Sequence, residues 1–127
     1  MLTPRDSKVA WRRSLLAQRR RLSPDLWQSQ SADLVNHLVD RPDFQAAKTI
    51  LAFLSHRQEP DLLPLLASDQ GKGKTWGLPR CQDKCLIWHR WAVGDRLVAG
   101  DYGIPEPEPT APPIAPEDVD LVLVPCV

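Results

Sequence analysis

The order of elements legible in the sequence predicts an α/β layered fold: helix, helix, strand, helix, strand, strand, long loop, strand. Two start signals near the amino end open two helical runs, and short β-prone segments follow between turns. The third observation is the segment Asp120–Val124, an apolar run that reads as a strand buried on both faces, as in the middle of a parallel sheet. Ligands of open parallel sheets sit just beyond the carboxyl ends of such strands. The residues that follow strands are therefore where function is sought.

The first helix is expected over residues 4–21, with Thr3 as N-cap and Pro4 in the first turn. Trp11, Leu15 and Leu22 share one stripe at helical spacing, which predicts a packed face. Ser23-Pro24-Asp25 restarts a helix, with Ser23 as cap, Pro24 at the first helical position and an acid in the first turn. This second helix runs to about Val39, burying Leu34, Val35 and Leu38, and Arg41-Pro42 ends it. Lys48–Ser55 reads as a strand, then His56–Glu59 as a loop. Pro60 opens a short helix carrying Leu62, Leu63, Leu65 and Leu66, which Pro64 confines. A Gly71-Lys72-Gly73 turn leads to a strand over Thr75–Leu78, and Cys85–Trp91 is its hairpin partner or the next strand. Six of the thirteen prolines fall between Pro105 and Pro116, which favours an extended crossing over a helix. These elements form one domain: N-terminal helices over 1–47, first strands and a helix over 48–91, a Pro-rich crossover over 92–118 and a buried strand over 119–127.

At 127 residues the chain supports a single modest core, and 43% hydrophobic with 25% charged residues is ordinary for a soluble globular protein. Its apolar runs are too short to cross a bilayer and no signal-peptide block is present, so a cytoplasmic protein is expected. Three cysteines without a pairing pattern fit a reducing compartment. The net charge of zero hides an asymmetry: residues 1–22 hold seven Lys or Arg against one acid, while residues 101–120 hold six acids and no Lys or Arg. One end of the molecule thus attracts anions.

Lys8 and Arg12, four apart on the first helix, project side by side. A mobile ammonium and a rigid guanidinium fork suit two oxygens of a polyphosphate; a solvated basic face is the commoner explanation of such spacing. Glu59 follows a strand that ends in the apolar Phe53-Leu54. It is placed either to accept hydrogen bonds from a ligand amine or amide, or to favour the dipole of a helix opened by Pro60. In Tyr102–Pro107, Gly103 relaxes the backbone while Pro105 and Pro107 fix it around Glu106, so that Tyr102 and Ile104 form either a wall against an aromatic ligand or part of a plain crossover. Gly71–Thr75 lacks the spacing of a P-loop and precedes a strand. Cys81, Cys85 and His89 lack the partners of a metal site and read as bland groups. Neither His37 nor His56 has a nucleophile that would make a hydrolase triad.

Taken in order, Lys8-x-x-x-Arg12, the Ile50–Leu54 strand leading to Gln58-Glu59-Pro60-Asp61, Leu78-Pro79-Arg80, Gly100–Pro107 and the strand Asp120–Pro125 resemble the 5-formyltetrahydrofolate cyclo-ligase (methenyltetrahydrofolate synthetase) family. The resemblance implies a three-layer α/β/α sandwich with a mostly parallel central sheet. It implies ATP- and Mg²⁺-dependent conversion of 5-formyltetrahydrofolate to 5,10-methenyltetrahydrofolate by a monomer needing neither nucleic acid nor membrane. By the same resemblance Lys8 and Arg12 bind ATP, while Leu54, Glu59, Tyr102, Ile104 and Glu106 shape the folate site. Family members continue past the last strand into a Gly-rich segment of the type Arg-x-Gly-x-Gly-x-Gly-Tyr-Tyr-Asp. The 127 residues stop before it, so a fold lacking its C-terminal strands and Gly-rich loop is expected. Two other readings stand beside this one: a noncatalytic nucleic-acid binder using the basic first helix, and a folate-binding remnant without turnover.

Overall fold

The computed structural model describes residues 3–126. The two helical start signals act as the sequence predicts. Thr3 opens α1 (Pro4–Arg20) with a capping box, its hydroxyl accepting from the Asp6 amide while the Asp6 carboxylate accepts from the Thr3 amide, both at 3.1 Å. The Thr3 hydroxyl also donates to the Asp6 carboxylate at 2.7 Å, and this bond, followed by the one from the Thr3 amide, holds the Asp6 carboxyl below its usual range. Ser23 opens α2 (Pro24–Val39), accepting from the Leu26 amide at 3.1 Å.

The packed stripe expected on α1 is not there. Trp11 is 67% and Leu15 40% exposed, and α1 buries no residue. The helix is instead joined to the rest of the fold near its last turn, where Arg19 Nε donates to Arg57 O at 2.9 Å. On α2, Val35 and Leu38 pack against the core as expected, while Leu34 lies outward at 48% exposure. Pro42 does more than end α2. Taking a first-turn position where its missing N–H costs nothing, it starts a one-turn helix, α3 (Pro42–Ala46), whose Phe44 is fully buried.

Strand β1 (Thr49–Leu51) is shorter than the expected 48–55 run because the chain beyond it leaves the sheet. Helix α4 (Leu63–Ala67) starts after Pro60, with Pro64 in its first turn, and the following α5 (Asp69–Lys72) replaces the expected turn at Gly71 and Lys72. Strands β2 (Thr75–Gln82) and β3 (Cys85–Arg90) form an antiparallel hairpin whose two turn residues, Asp83 and Lys84, have φ of 50° and 64°. Pro79 sits on β2 past Gly77, the last residue paired with β1, so its missing N–H breaks no bond to that strand.

The Pro-rich crossover is extended, as predicted, and stitched to the sheet at several points. It holds the short antiparallel pair β4 (Leu97–Val98) and β5 (Glu106–Pro107), and runs beside β3, where Arg90 N donates to Pro112 O at 2.7 Å and Ile114 N to Trp88 O at 2.8 Å. His89, 3% exposed, ties the layers together: its Nδ1 lies 2.8 Å from Ala111 O, and Arg80 Nε donates to its Nε2 at 3.0 Å. That pattern suits a neutral ring donating through Nδ1.

Strand β6 (Leu121–Val122) completes a sheet of order β3-β2-β1-β6, parallel in its β2-β1-β6 part. The architecture is mixed α/β, a mostly parallel central sheet flanked by helices, as the sequence predicts. The expectation for the last strand fails. Among the described residues β6 is an edge strand, not one buried on both faces: Leu121 and Leu123 face inward, whereas Val122 and Val124 are 46% and 72% exposed, because no further strand or helix covers them. The core behind the sheet gathers Phe44, Ile50, Leu65, Leu78 and both Trp76 and Trp91, each large side chain contributing about 1.5–3 kcal/mol by its burial. No described helix is long and apolar enough to cross a membrane.

The register of β6 is fixed by a side chain. Asp120 accepts from the Lys48 and Thr49 amides at 2.8 and 2.9 Å, and its own amide donates to Thr49 O at 2.9 Å. The two backbone donors, Thr49 first, lower the Asp120 pKa from its ordinary 3.8. The contribution to stability is thus full above 3.8 and drains away as pH falls through the lowered folded-state value. Asp120→Asn is expected to lower the melting temperature at pH 7, with the gap to the unsubstituted chain closing in a thermal melt series taken below pH 3.8. A gap that persists unchanged at low pH would show that the ionised carboxylate is not what pins the strand.

Candidate functional site

Beyond the carboxyl ends of β1 and β6, at the level of Leu78 and Pro79 on β2, lies a cavity of about 400 Å³. Its position follows from the parallel pairing, since β1 and β6 run the same way and release Ala52–Leu54 and Leu123–Pro125 on the same side. The walls are mainly apolar: Phe53, Leu54, Trp88, Ile104 and Val124, with His56 and Glu59 supplying the polar groups.

Glu59 is held by an unusual turn. Arg57 and Gln58 are consecutive non-glycine residues with φ of 51° and 63°, a conformation that costs of order 1–3 kcal/mol per residue and persists only when the surroundings enforce it. Those surroundings come from the corner between α1 and α2. Arg19 Nε binds Arg57 O, Gln58 Nε2 donates to Leu22 O at 3.0 Å, and the Trp27 indole donates to Glu59 O at 2.8 Å. The Ser55 hydroxyl also donates to Glu59 O. Within the turn, Glu59 Oε1 accepts from the His56 amide at 3.1 Å, and Oε2 has no partner among the described residues. Because α4 begins only at Leu63, Glu59 is not a first-turn acid of that helix, which removes the dipole reading of this residue.

Of the residues singled out in the sequence, Leu54, Glu59 and Ile104 meet in this one cavity. Tyr102 does not: it is 72% exposed on the Gly100–Ile104 turn, where Gly103 takes a φ of 74°. Glu106 is spent on structure, its Oε2 accepting from the Cys81 amide at 2.8 Å and so fastening the turn to β2. Gly100 permits that closure, since a Cβ there would lie 2.4 Å from Ile104 O. Burial, and then the Glu106 carboxylate, push the Cys81 thiol above its ordinary 9.0, an inert setting for a cysteine.

Lys8 and Arg12 lie on the exposed face of α1, and no residue of α1 lines the cavity. A second, open groove of about 600 Å³ runs between the last turn of α1 and the first half of α2, lined by Gln18, Arg19, Trp27, Gln58 and Pro60, and so adjoins the Glu59 turn. Among the described residues no three His, Cys, Asp or Glu side chains converge as a metal site, so these residues offer Mg²⁺ no ready cage. Sequence reasoning passed over Trp88. Its place in a β-prone hairpin was legible, but its presence in the wall depends on the β2–β3 register that pairs it with Pro79.

Among solved structures, the chain is similar to the NMR structure of Aquifex aeolicus 5,10-methenyltetrahydrofolate synthetase, with a TM-score of 0.78 and 28% identity over 92% of this chain. It spans 59% of the length of that relative. No curated protein matches the chain significantly. The 5-formyltetrahydrofolate cyclo-ligase family model matches residues 4–127, nearly the whole sequence; the chain belongs to the 5-formyltetrahydrofolate cyclo-ligase family.

Proposed function

We propose that this chain forms the folate-binding part of an ATP-dependent ligase that converts 5-formyltetrahydrofolate to 5,10-methenyltetrahydrofolate. The observation that carries this reading is the apolar cavity at the strand ends with one carboxylate, Glu59, at its polar side. A reduced pteridine is flat, largely apolar on its faces and rich in N–H donors on its edge. Leu54, Trp88 and Ile104 suit the faces, and Glu59 Oε2 suits an edge donor.

The chemistry asks for an activated oxygen. In the proposed reaction the terminal phosphoryl of ATP passes to the formyl oxygen and ADP leaves. The neighbouring folate nitrogen attacks the formyl carbon, the C–O bond breaks, phosphate departs with the electron pair, and the nitrogen gives up its proton. An amide-like oxygen leaves poorly until it is phosphorylated, and the moving phosphoryl needs cations around it. In this proposal Lys8 and Arg12 hold phosphate oxygens, and the groove between α1 and the Glu59 turn gives the nucleotide a path toward the folate. Mg²⁺ is assigned no ligand and no step. Tyr102 and Glu106 act on the folate indirectly, through the turn that presents Ile104.

Calorimetry with each substrate alone separates the roles without requiring turnover. Glu59→Gln is expected to weaken 5-formyltetrahydrofolate binding about 10-fold or more, because a hydrogen bond to a charged group is lost, and to leave ATP binding unchanged. Lys8→Gln with Arg12→Gln is expected to do the reverse. Unchanged folate affinity in the Glu59 variant would remove the cavity from the account.

The exposure of α1 along its length also favours a second reading, in which its basic face binds nucleic acid. Arg20→Gln with Arg21→Gln tests it, sparing Arg19, which supports the Glu59 turn. That reading requires an affinity that falls steeply with salt and collapses in the double variant; a salt-insensitive or unaltered affinity would eliminate it.

A further inference from the structure

The turn that carries Glu59 brings a second polar residue to the same cavity. His56 and Glu59 stand opposite each other across the two-residue corner Arg57-Gln58. The Glu59 amide donates to His56 O at 3.2 Å, and the His56 amide donates to Glu59 Oε1 at 3.1 Å. Residues facing one another across so tight a corner send their side chains to the same face. Both line the cavity, and among the described residues they are its only titratable lining groups, the others being aliphatic residues, prolines, Phe53 and Trp88. The imidazole is half-exposed and has no hydrogen-bond partner among the described residues, so it is free to meet a ligand.

The chemistry of a pteridine edge asks for such a neighbour. In 5-formyltetrahydrofolate the ring N–H donors that suit a carboxylate lie next to a 4-oxo oxygen, which is an acceptor. An ionised Glu59 accepts only, so it cannot pair with that oxygen, whereas a neutral or charged imidazole has an N–H to give. A carbonyl taken out of water without a donor costs binding energy. Trp88 is the other donor in the wall, but it sits on β3 and not on the turn that carries Glu59.

We propose that His56 is a specificity-determining residue of the cavity, its imidazole N–H donating to the 4-oxo oxygen of the pteridine while Glu59 Oε2 accepts from the adjacent ring N–H. This assignment rests on the folate reading of the cavity and adds to it a choice between 4-oxo and 4-amino pteridines. A 4-amino group sets a donor against a donor. A neutral imidazole then has to turn its unprotonated nitrogen to the ligand, and an imidazolium has none to turn. Rejection of the wrong ring thus comes from an unpaired polar group rather than from size.

Calorimetry with 5-formyltetrahydrofolate and with its 4-amino-4-deoxy counterpart, at one pH, gives the preference as a ratio of dissociation constants. Contributions of Glu59 and of the ring faces are common to the unsubstituted chain and a His56 variant, and they cancel when the two ratios are compared. His56→Leu is expected to lower the preference for the 4-oxo ligand about 5- to 10-fold, the loss of one hydrogen bond that leaves its acceptor unpaired. His56→Gln keeps an N–H donor and is expected to retain most of the preference. On the unsubstituted chain, the ¹⁵N ring resonances of His56 are expected to move toward those of a hydrogen-bonded donor on saturation with the 4-oxo ligand, a readout that stands even where the Leu variant fails to fold. An unchanged preference in the Leu variant, or ring resonances unmoved by bound 4-oxo ligand, would overturn the proposal and leave the folate site standing. Failure of both ligands to bind the unsubstituted chain would instead remove the folate reading, and the role of His56 with it.

Discussion

The structure depends on the parallel pairing of β1 with both of its neighbours. Only three residues long, this strand has β2 on one side and β6 on the other, and its ladder continues into Ala52 N to Gly77 O and Leu123 N to Leu51 O, each at 2.8 Å. So short a strand has little register information of its own. Asp120 supplies it, reaching across to two consecutive amides at the start of β1 and fixing where β6 begins. Everything on the functional side follows from that placement, because Phe53, Leu54, Val124 and Pro125 reach a common cavity only if both strands end at the same level.

The second constraint is the strained turn before Glu59. Two left-handed residues other than glycine are costly, and the corner between α1 and α2 meets that cost with three hydrogen bonds from Arg19, Gln58 and Trp27. This gives the otherwise loosely attached α1 a structural role at its last turn while its first turns stay free in solvent. One helix thereby serves two ends: Arg19 positions the carboxylate, and Lys8 and Arg12 remain available for an anion.

Much of this was legible in the residues. Caps at Thr3 and Ser23, prolines at first-turn positions and the β-prone hairpin are local signals, and local physics decided them. Three features were not legible, for identifiable reasons. Helix α3 hides behind a proline that reads equally as a stop or a start. The exposure of Trp11 and Leu15 depends on whether anything packs against α1, which a helical stripe cannot reveal. The edge position of β6 depends on its neighbours in space, since an apolar run looks the same in the middle of a sheet and at its margin. Within the site, strand-end residues such as Leu54 and Glu59 could be placed from sequence order. That Tyr102 is exposed and Glu106 is bonded to the Cys81 amide beside Ile104 needed the geometry of the Gly100 turn, and Trp88 needed the hairpin register.

The parallel register of β1 and β6 builds the cavity proposed to receive folate, and a crystal structure of the chain with 5-formyltetrahydrofolate examines that assignment at the atoms concerned. The account predicts the pteridine lodged between Trp88, Ile104 and Leu54 with an edge nitrogen within hydrogen-bond distance of Glu59. Density for the ligand along α1, or at the opposite end of the sheet with this cavity empty, would contradict it.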